Sequence, residues 1–135
     1  MKNRTLSADY LERSRIRLEA LKTLFQLGGY ADVVREAQEV VELTAKSLLR
    51  FLGAEPARVH DVSAQLEEVR LQVKDQKQLD ELIRASRTLR RDRELAFYGS
   101  EDLTPSEFYS KSDAKEAFDS AEKAVKFVSS VVKLK

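Results

Sequence analysis

The chain has 135 residues, 35% of them charged, and a formal net charge of +1. This length predicts one domain over residues 1–135 that can bury a hydrophobic core without disulfides or a structural metal. The absence of cysteine excludes disulfides, thiol catalysis and thiolate metal sites, and the near-neutral charge argues against a non-specific polyanion binder.

The N-terminal segment MKNRTLSADY lacks the apolar run of a signal peptide. No stretch approaches the ~18 consecutive apolar residues that a membrane span needs. We therefore expect a cytoplasmic protein with no membrane partner.

The first two predicted helices are separated by glycine. The first begins near Ser7, whose hydroxyl suits an N-cap, and ends at Gly28-Gly29. The second runs from about Tyr30 to Leu52 and ends at Gly53. Apolar or small residues at helical spacing form the inner face of each helix: Leu11, Ser14, Leu18, Leu21 and Phe25 in the first, and Val33, Ala37, Val40, Val41, Thr44, Leu48 and Leu52 in the second.

The middle of the chain is less sharply divided. Asp61 is a plausible N-cap for a third helix whose stripe is Val62, Leu66, Val69 and Val73. Asp75 and Gln78 resemble a capping box and predict a weak boundary before a fourth helix, with one long bent helix as the alternative. The fourth helix ends before Gly99.

A polar loop is predicted from Ser100 to Ser112, and a terminal helix follows it. The inner face of the terminal helix is Ala114, Ala117, Ala121, Ala124, Val128 and Val131, joined by Phe118, Val125 and Val132. No segment alternates with the two-residue period of a strand. The fold class is therefore all-α, an antiparallel up-and-down bundle of about five helices.

The fourth helix carries the densest run of arginine, RASRTLRRDRELAFYG. Arg93 falls on the stripe Leu79, Leu82, Ser86, Leu89, Arg93 and Ala96, where the other members are apolar or small. It either buries its guanidinium against a facing carboxylate, reaches the bundle end, or faces a cleft or dimer seam. In the functional interpretation it binds phosphate, for which the guanidinium fork is well suited.

Arg84, Arg87 and Arg91 share one exposed face, with Arg90 beside it. That face is either simply solvated or a basic strip that follows a nucleic-acid backbone. The nearby aromatic residues Phe97, Tyr98, Phe108 and Tyr109 could stack on bases or pack at the bundle end.

His60 is the only histidine and stands in the loop after Pro56, beside the start of the third helix. One histidine cannot supply the paired Glu-x-x-His ligands of a carboxylate di-iron bundle. No nucleophile elbow or glycine-rich phosphate loop occurs. We therefore predict no metal and no cofactor, and interpret His60 as a loop residue near a helix cap.

Several fragments in order resemble the HEPN (higher eukaryotes and prokaryotes nucleotide-binding) family. These are Ala37-Gln38, the apolar-basic run at 45–49, the Gly53–Pro56 turn and His60-Asp61. The tail from RELAFYG to the terminal helix also resembles a prokaryotic branch.

The resemblance implies a helical bundle that forms a homodimer. It also implies an Arg-x(4–6)-His motif near the end of the fourth helix, which in many members makes a metal-independent ribonuclease site at the dimer cleft. Many prokaryotic members work with a minimal nucleotidyltransferase in toxin–antitoxin pairs, and in some a nucleotide is transferred to a tyrosine in this region.

Here Tyr98 stands where the motif histidine would follow Arg93 or Arg91. A phenol, with an ordinary pKa near ~10, is a poor general base at neutral pH. By this resemblance, Arg93 and Tyr98 are the candidate catalytic pair. The basic strip itself predicts ligand-binding roles for Arg87, Arg90, Arg91 and Arg93.

Three hypotheses remain open from the sequence. The first is a nucleotide- or RNA-binding or partner module that works with a nucleotidyltransferase and has a degenerate catalytic motif. The second is a ribonuclease toxin whose cleavage tolerates tyrosine. The third is a non-catalytic assembly subunit in which Arg93 forms an interface ion pair.

Overall fold

The structure, a computed structural model, describes residues 4–98 and 104–132, and side chains over 5–88 and 104–132. Every regular element in these ranges is helical. The elements in chain order are α1 (Arg4–Gln26), α2 (Tyr30–Phe51), α3 (Ser63–Glu68), a 3₁₀ turn (Arg70–Gln72), α4 (Gln76–Tyr98), α5 (Pro105–Phe108) and α6 (Lys111–Val132). The predicted all-α antiparallel bundle is confirmed, with four long helices and two short ones in the described ranges.

Helix α2 lies at the centre of the bundle, packed against α1, α4 and α6. Its predicted stripe is buried from Val33 to Leu48, and Leu52 at its end is half-buried. A helix that contacts three neighbours needs this wide apolar face, so the periodicity of α2 identified the core correctly.

Two glycines end α1 and α2 as predicted. Gly28 and Gly53 have φ angles of 79° and 89°, a left-handed conformation that side chains with a Cβ rarely adopt. After α1, the Gly29 N–H donates to the Leu24 carbonyl at 2.9 Å, and after α2 the Ala54 N–H donates to the Leu49 carbonyl at 2.9 Å. These bonds are those of a Schellman cap, which turns the chain sharply after each helix.

The prediction that Ser7 caps α1 is wrong. The helix already includes Arg4, and Ser7 is fully buried within it. Its hydroxyl donates to the Ser47 carbonyl at 2.8 Å, and the Ser47 hydroxyl donates to the Ser7 carbonyl at 2.8 Å. Ser7 therefore joins α1 to α2 by a pair of buried hydrogen bonds instead of capping a helix.

The third helix is shorter than predicted. Helix α3 ends at Glu68, and the remaining stripe continues through the 3₁₀ turn to Val73, whose backbone is extended. Val62, Leu66, Val69 and Val73 are all buried nevertheless. The apolar spacing predicted burial correctly but did not require a continuous α-helix.

The predicted boundary before α4 is confirmed, and the alternative of one long bent helix is wrong. The Gln78 N–H donates to Asp75 Oδ1 at 3.1 Å, and the Gln76 amide donates to the carbonyls of Arg70 and Val73. Arg70 in turn donates to Asp80 Oδ1 at 2.7 Å. These side-chain bonds satisfy backbone groups that a continuous helix would have paired internally, so the break is stable.

The predicted loop from Ser100 to Ser112 contains structure that the sequence analysis missed. Thr104 and Glu107 form a capping box at the start of α5, with Glu107 N–H donating to Thr104 Oγ1 at 3.2 Å. Ser110 and Asp113 make the same pair of bonds at the start of α6, which therefore begins at Lys111. Residues 100–103 of the predicted loop lie outside the described part.

Among residues 4–98 and 104–132, no helix has the length and apolar character needed to cross a membrane.

Candidate functional site

The stripe that carries Arg93 in the sequence is buried wherever its side chains are described. Leu79 and Ser86 are almost completely buried, and so is Leu82 between them. Helix α4 continues to Tyr98, but the side chains of Leu89, Arg90, Arg91, Arg93, Ala96, Phe97 and Tyr98 lie outside the described residues. The predicted roles of Arg90, Arg91, Arg93 and Tyr98 therefore stay predictions.

The two described arginines of the run are both exposed, as predicted for their face. They differ in their contacts. Arg87 Nε donates to Ser63 Oγ at 3.1 Å, and its guanidinium lies 4.0 Å from Glu67 Oε2. Arg84 makes neither a hydrogen bond nor an ion pair with any described residue and lines a cleft between α4 and α6. Arg87 thus serves partly to hold α4 against α3, whereas Arg84 is available for a partner.

Asp61 connects the start of α3 to the middle of α4. Its Oδ1 accepts from the Ser63 N–H at 2.9 Å and from the Ser86 hydroxyl at 3.2 Å. Burial alone would raise the pKa of this carboxyl, but the hydrogen bonds from Ser63 and Ser86 and the charge of Arg87 together hold it below its ordinary value of 3.8. Asp61 was predicted to cap the third helix, and it does bond to the N–H of the first residue of α3 while Val62 occupies the cap position.

The lowered pKa of Asp61 predicts a pH-dependent contribution to stability. A carboxyl whose pKa is lower in the folded chain stabilises that chain above the unfolded pKa and loses this effect as the pH falls through the folded pKa. We expect Asp61→Asn to be less stable than the wild type at pH 7, and the difference to shrink as the pH falls below about 4. Urea unfolding of both proteins between pH 3 and pH 7 measures this.

Glu68→Gln is the matched control, because Glu68 is exposed on the same short helix and forms no hydrogen bond with a described residue. The difference in free energy of unfolding between Glu68→Gln and the wild type should not change comparably with pH. A constant gap between Asp61→Asn and the wild type over the whole range would contradict the proposed linkage.

His60 contacts the carboxylate of Glu42, a residue for which the sequence predicted no role. Its Nδ1 lies 2.8 Å from Glu42 Oε1, and the other oxygen of Glu42 accepts from Lys46 Nζ at 2.9 Å. Glu42 and Lys46 are largely buried, with side-chain exposures of 14% and 17%. The i, i+4 spacing of Glu42 and Lys46 could have indicated this pair. The contact ties the loop before α3 to α2, which agrees with the interpretation of His60 as a loop residue.

The cleft between α4 and α6 has a volume of about 370 Å³. Its floor is apolar and includes Val34 of α2, Leu82 and Ala85 of α4, and Ala117 of α6. Charged and polar side chains of both helices form its rim, among them Glu81 and Arg84 of α4 and Glu116 and Lys123 of α6. A volume of this order is within the range of small-ligand sites, and the cleft lies on the helix that carries the arginine run.

Of the two aromatic residues Phe108 and Tyr109 that follow α4, one is buried and one is exposed. Tyr109 is buried and lines the same cleft, whereas Phe108 is 43% exposed. Their ring centroids are 4.9 Å apart in an edge-to-face arrangement. Tyr109 therefore packs into the core beside the cleft. Within the described part of the chain, no group of three or more His, Asp or Glu side chains could hold a metal ion.

These features define a helical bundle with an arginine-rich fourth helix, which Asp61 holds through Ser86 while the neighbouring His60 contacts Glu42 of α2. The family model of the HEPN domain matches residues 7–131. The chain therefore belongs to the HEPN domain family, a nucleotide-binding family.

Two solved structures are similar to this chain. TT1696 from Thermus thermophilus is 25% identical, with a TM-score of 0.75, and the match covers 96% of this chain and 98% of that one. ST0689, an archaeal HEPN homologue, is 20% identical with a TM-score of 0.73 over 93% of this chain and 97% of that one, a likeness that shows the fold alone. None of the curated proteins gives a significant match.

Proposed function

We propose that this HEPN protein is a nucleotide- or RNA-binding module that acts as a homodimer beside a minimal nucleotidyltransferase, in a toxin–antitoxin-type pair. The single observation that carries the proposal is the buried stripe of α4. Leu79, Leu82 and Ser86 face the bundle, and Arg93 continues their spacing in the sequence. A cation at such a position needs an anionic partner, and phosphate suits the guanidinium fork.

The anchoring of α4 supports this proposal. A phosphate-binding arginine is effective only when its helix is held in place, because ordering the side chain and the backbone costs free energy. Asp61 bonds to Ser86 and Ser63, and Arg87 bonds to Ser63, immediately before the densest part of the run. Arg84 adds an exposed cation without a described partner on the same helix.

Replacing Arg93 by alanine should weaken ligand binding at least about tenfold, since a charge-assisted hydrogen bond contributes roughly 1.5–3 kcal/mol. Two probes test this: ATP by calorimetry, and a fluorescein-labelled single-stranded RNA by fluorescence anisotropy. The matched control is Arg58→Ala, which removes an exposed loop arginine with no hydrogen bond or ion pair to a described residue. Wild-type protein that binds neither probe nor the product of the neighbouring gene would overturn the proposal.

Arg93→Ala, together with a further variant, Tyr98→Phe, separates RNA binding from RNA cleavage. In a degenerate site, the wild type binds RNA without cutting it in the presence of a metal chelator. Chelator-resistant cleavage that is lost in both Arg93→Ala and Tyr98→Phe would instead favour the ribonuclease hypothesis. Equal, chelator-sensitive cleavage in all three proteins indicates a contaminating nuclease.

A further inference from the structure

Tyr10 on α1 lies against two arginines that come from different helices. The guanidinium carbon of Arg13, one turn further along α1, is 5.9 Å from the centroid of the ring, and that of Arg50 in the last turn of α2 is 5.6 Å from it. Arg13 is exposed, whereas Tyr10 and Arg50 are half-buried. Both distances are those of cation–π contacts. We call these three side chains the Tyr10 cluster.

The packing of α1 against α2 brings the cluster together. Side chains of an α-helix lean toward its N-terminus, so Tyr10 leans toward the turn of Ser7 and Arg50 leans toward that of Ser47. Two buried hydrogen bonds between Ser7 and Ser47, each 2.8 Å long, hold these turns together. The two helices therefore place the ring and the guanidinium of Arg50 in contact by themselves, and a preformed site needs little ordering to bind a ligand.

Neither arginine of the cluster forms an ion pair with a carboxylate in the described part of the chain. Asp9 is exposed four residues before Arg13, a spacing at which helical ion pairs form, but no ion pair joins these two residues. By contrast, Arg17 on the same helix lies 3.5 Å from Glu36. The described residues around the cluster therefore leave its two positive charges unbalanced.

Arg50 also has an unsatisfied hydrogen-bond donor. Its Nε is buried and has no hydrogen-bond partner among the described residues. A buried N–H donor without an acceptor is destabilising, and the face of an aromatic ring attracts a cation without neutralising it. Arg13 adds a second positive charge against the same ring, and like charges repel more strongly where water is partly excluded. An anion that accepts hydrogen bonds from both guanidiniums removes both of these penalties.

We propose that the Tyr10 cluster binds a phosphate group, carried by inorganic phosphate or by a small phosphomonoester. The two guanidiniums supply the positive charge that matches a phosphate dianion, and their forked donors fit its oxygens. The phenol hydroxyl of Tyr10 donates a further hydrogen bond. No residue of α4 belongs to the cluster, so this site is separate from the arginine run and does not rest on the proposed function.

The residues beside the cluster favour a single phosphate group over a nucleic-acid strand. A strand carries phosphates on both sides of any one contact and is bound by a row of cations. Asp9 and Glu12, which are exposed next to Tyr10 and Arg13 in α1, would repel those further phosphates. A phosphate ion or small monoester instead places all its charge at one point, where Arg13 and Arg50 meet it.

Titration with inorganic phosphate at constant ionic strength, followed by calorimetry, tests the inference. The parent protein is the chain with Arg93→Ala, so that phosphate bound by that arginine of α4 is not counted. In this parent, Arg13→Ala and Arg50→Ala should each raise the dissociation constant for phosphate at least about tenfold, because each removes a charge-assisted hydrogen bond. Arg15→Ala is the matched control and should leave the constant unchanged, since Arg15 is exposed on α1 and lies 3.8 Å from a Glu12 oxygen.

Tyr10→Phe separates phosphate binding from a purely structural role of the cluster. It keeps the ring that both arginines contact and removes only the hydroxyl, so the free energy of unfolding without phosphate should change little. The dissociation constant for phosphate should still rise about threefold or more, which is the effect of losing one neutral hydrogen bond.

Glycerol phosphate, titrated under the same conditions, distinguishes the two sources of the phosphate group. Binding at least as tight as that of inorganic phosphate assigns the site to a monoester, and weaker binding assigns it to the free ion. The inference is overturned if the parent binds neither probe, or if Arg50→Ala and Tyr10→Phe bind phosphate as tightly as the parent. It is also overturned if Arg50→Ala in the wild-type chain weakens binding of the labelled RNA as much as it weakens phosphate binding, because the cluster would then belong to a nucleic-acid surface.

Discussion

Leu48→Ala should lower the free energy of unfolding by about 3–4 kcal/mol. Leu48 is completely buried on α2, the helix that packs against α1, α4 and α6. Removing its branched side chain loses the transfer free energy of the deleted atoms and leaves a cavity that three rigid neighbours can close only in part. For a chain of this length, such a loss lowers the melting temperature by roughly 10 °C or more.

Leu71→Ala is the matched control, because it is the same chemical change at a side chain that is 98% exposed. It should change the unfolding free energy by less than about 0.5 kcal/mol. Urea unfolding of both variants, followed by far-ultraviolet circular dichroism, measures the two values under one condition. Similar losses in both would contradict the placement of the core around α2.

The core and the helix ends were predictable because each depends on short-range chemistry. The stripe on α1 and α2 follows from residues three and four apart, and all its members are buried or half-buried. Gly28 and Gly53 end helices because they adopt positive φ angles that other residues avoid. These signals need no knowledge of the rest of the fold.

The contacts of Ser7 and Asp61 were not predicted because each side chain has a distant partner. Ser7 has the chemistry of an N-cap, but a partner forty residues away in α2 uses its hydroxyl instead. Asp61 likewise bonds to Ser86 on α4, a contact that its local sequence does not reveal. Serine and aspartate compete for local and distant partners with similar energies, so sequence alone does not decide between them.

The candidate site was predictable only where it depends on the short-range helical period. Helical spacing correctly indicated that Arg84 and Arg87 are exposed, since it depends only on the period of the helix. It did not indicate that Arg87 bonds to Ser63 of α3 or that Arg84 lines the α4–α6 cleft. The cleft depends on the distance between α4 and α6 where they pack over α2. The sequence pattern of each helix carries no information on that distance.

Gln38 is a buried polar residue whose burial does not by itself stabilise the fold. It lies on α2 with 1% exposure, and its Oε1 has no hydrogen-bond partner among the described residues. A buried acceptor without a partner costs roughly 1–3 kcal/mol. Gln38→Met keeps the volume and removes the unpaired oxygen, so it should stabilise the fold by about 1 kcal/mol or more.

Gln38→Glu should have the opposite and larger effect, because it puts an ionisable carboxyl of the same shape where no described donor faces it. Burial raises the pKa of such a carboxyl in the folded chain above the ordinary value of about 4.3. Below about pH 4 the group is neutral in both states and the cost is small. As the pH rises, the unfolded chain ionises first, and stability falls by about 1.4 kcal/mol per pH unit until the folded group also ionises. The loss should reach about 3 kcal/mol near pH 7, as measured by urea unfolding of Gln38→Glu and Gln38→Met between pH 4 and pH 8. A pH-independent difference between these two variants would show that the side chain at this position reaches water, and that the core around α2 is open there.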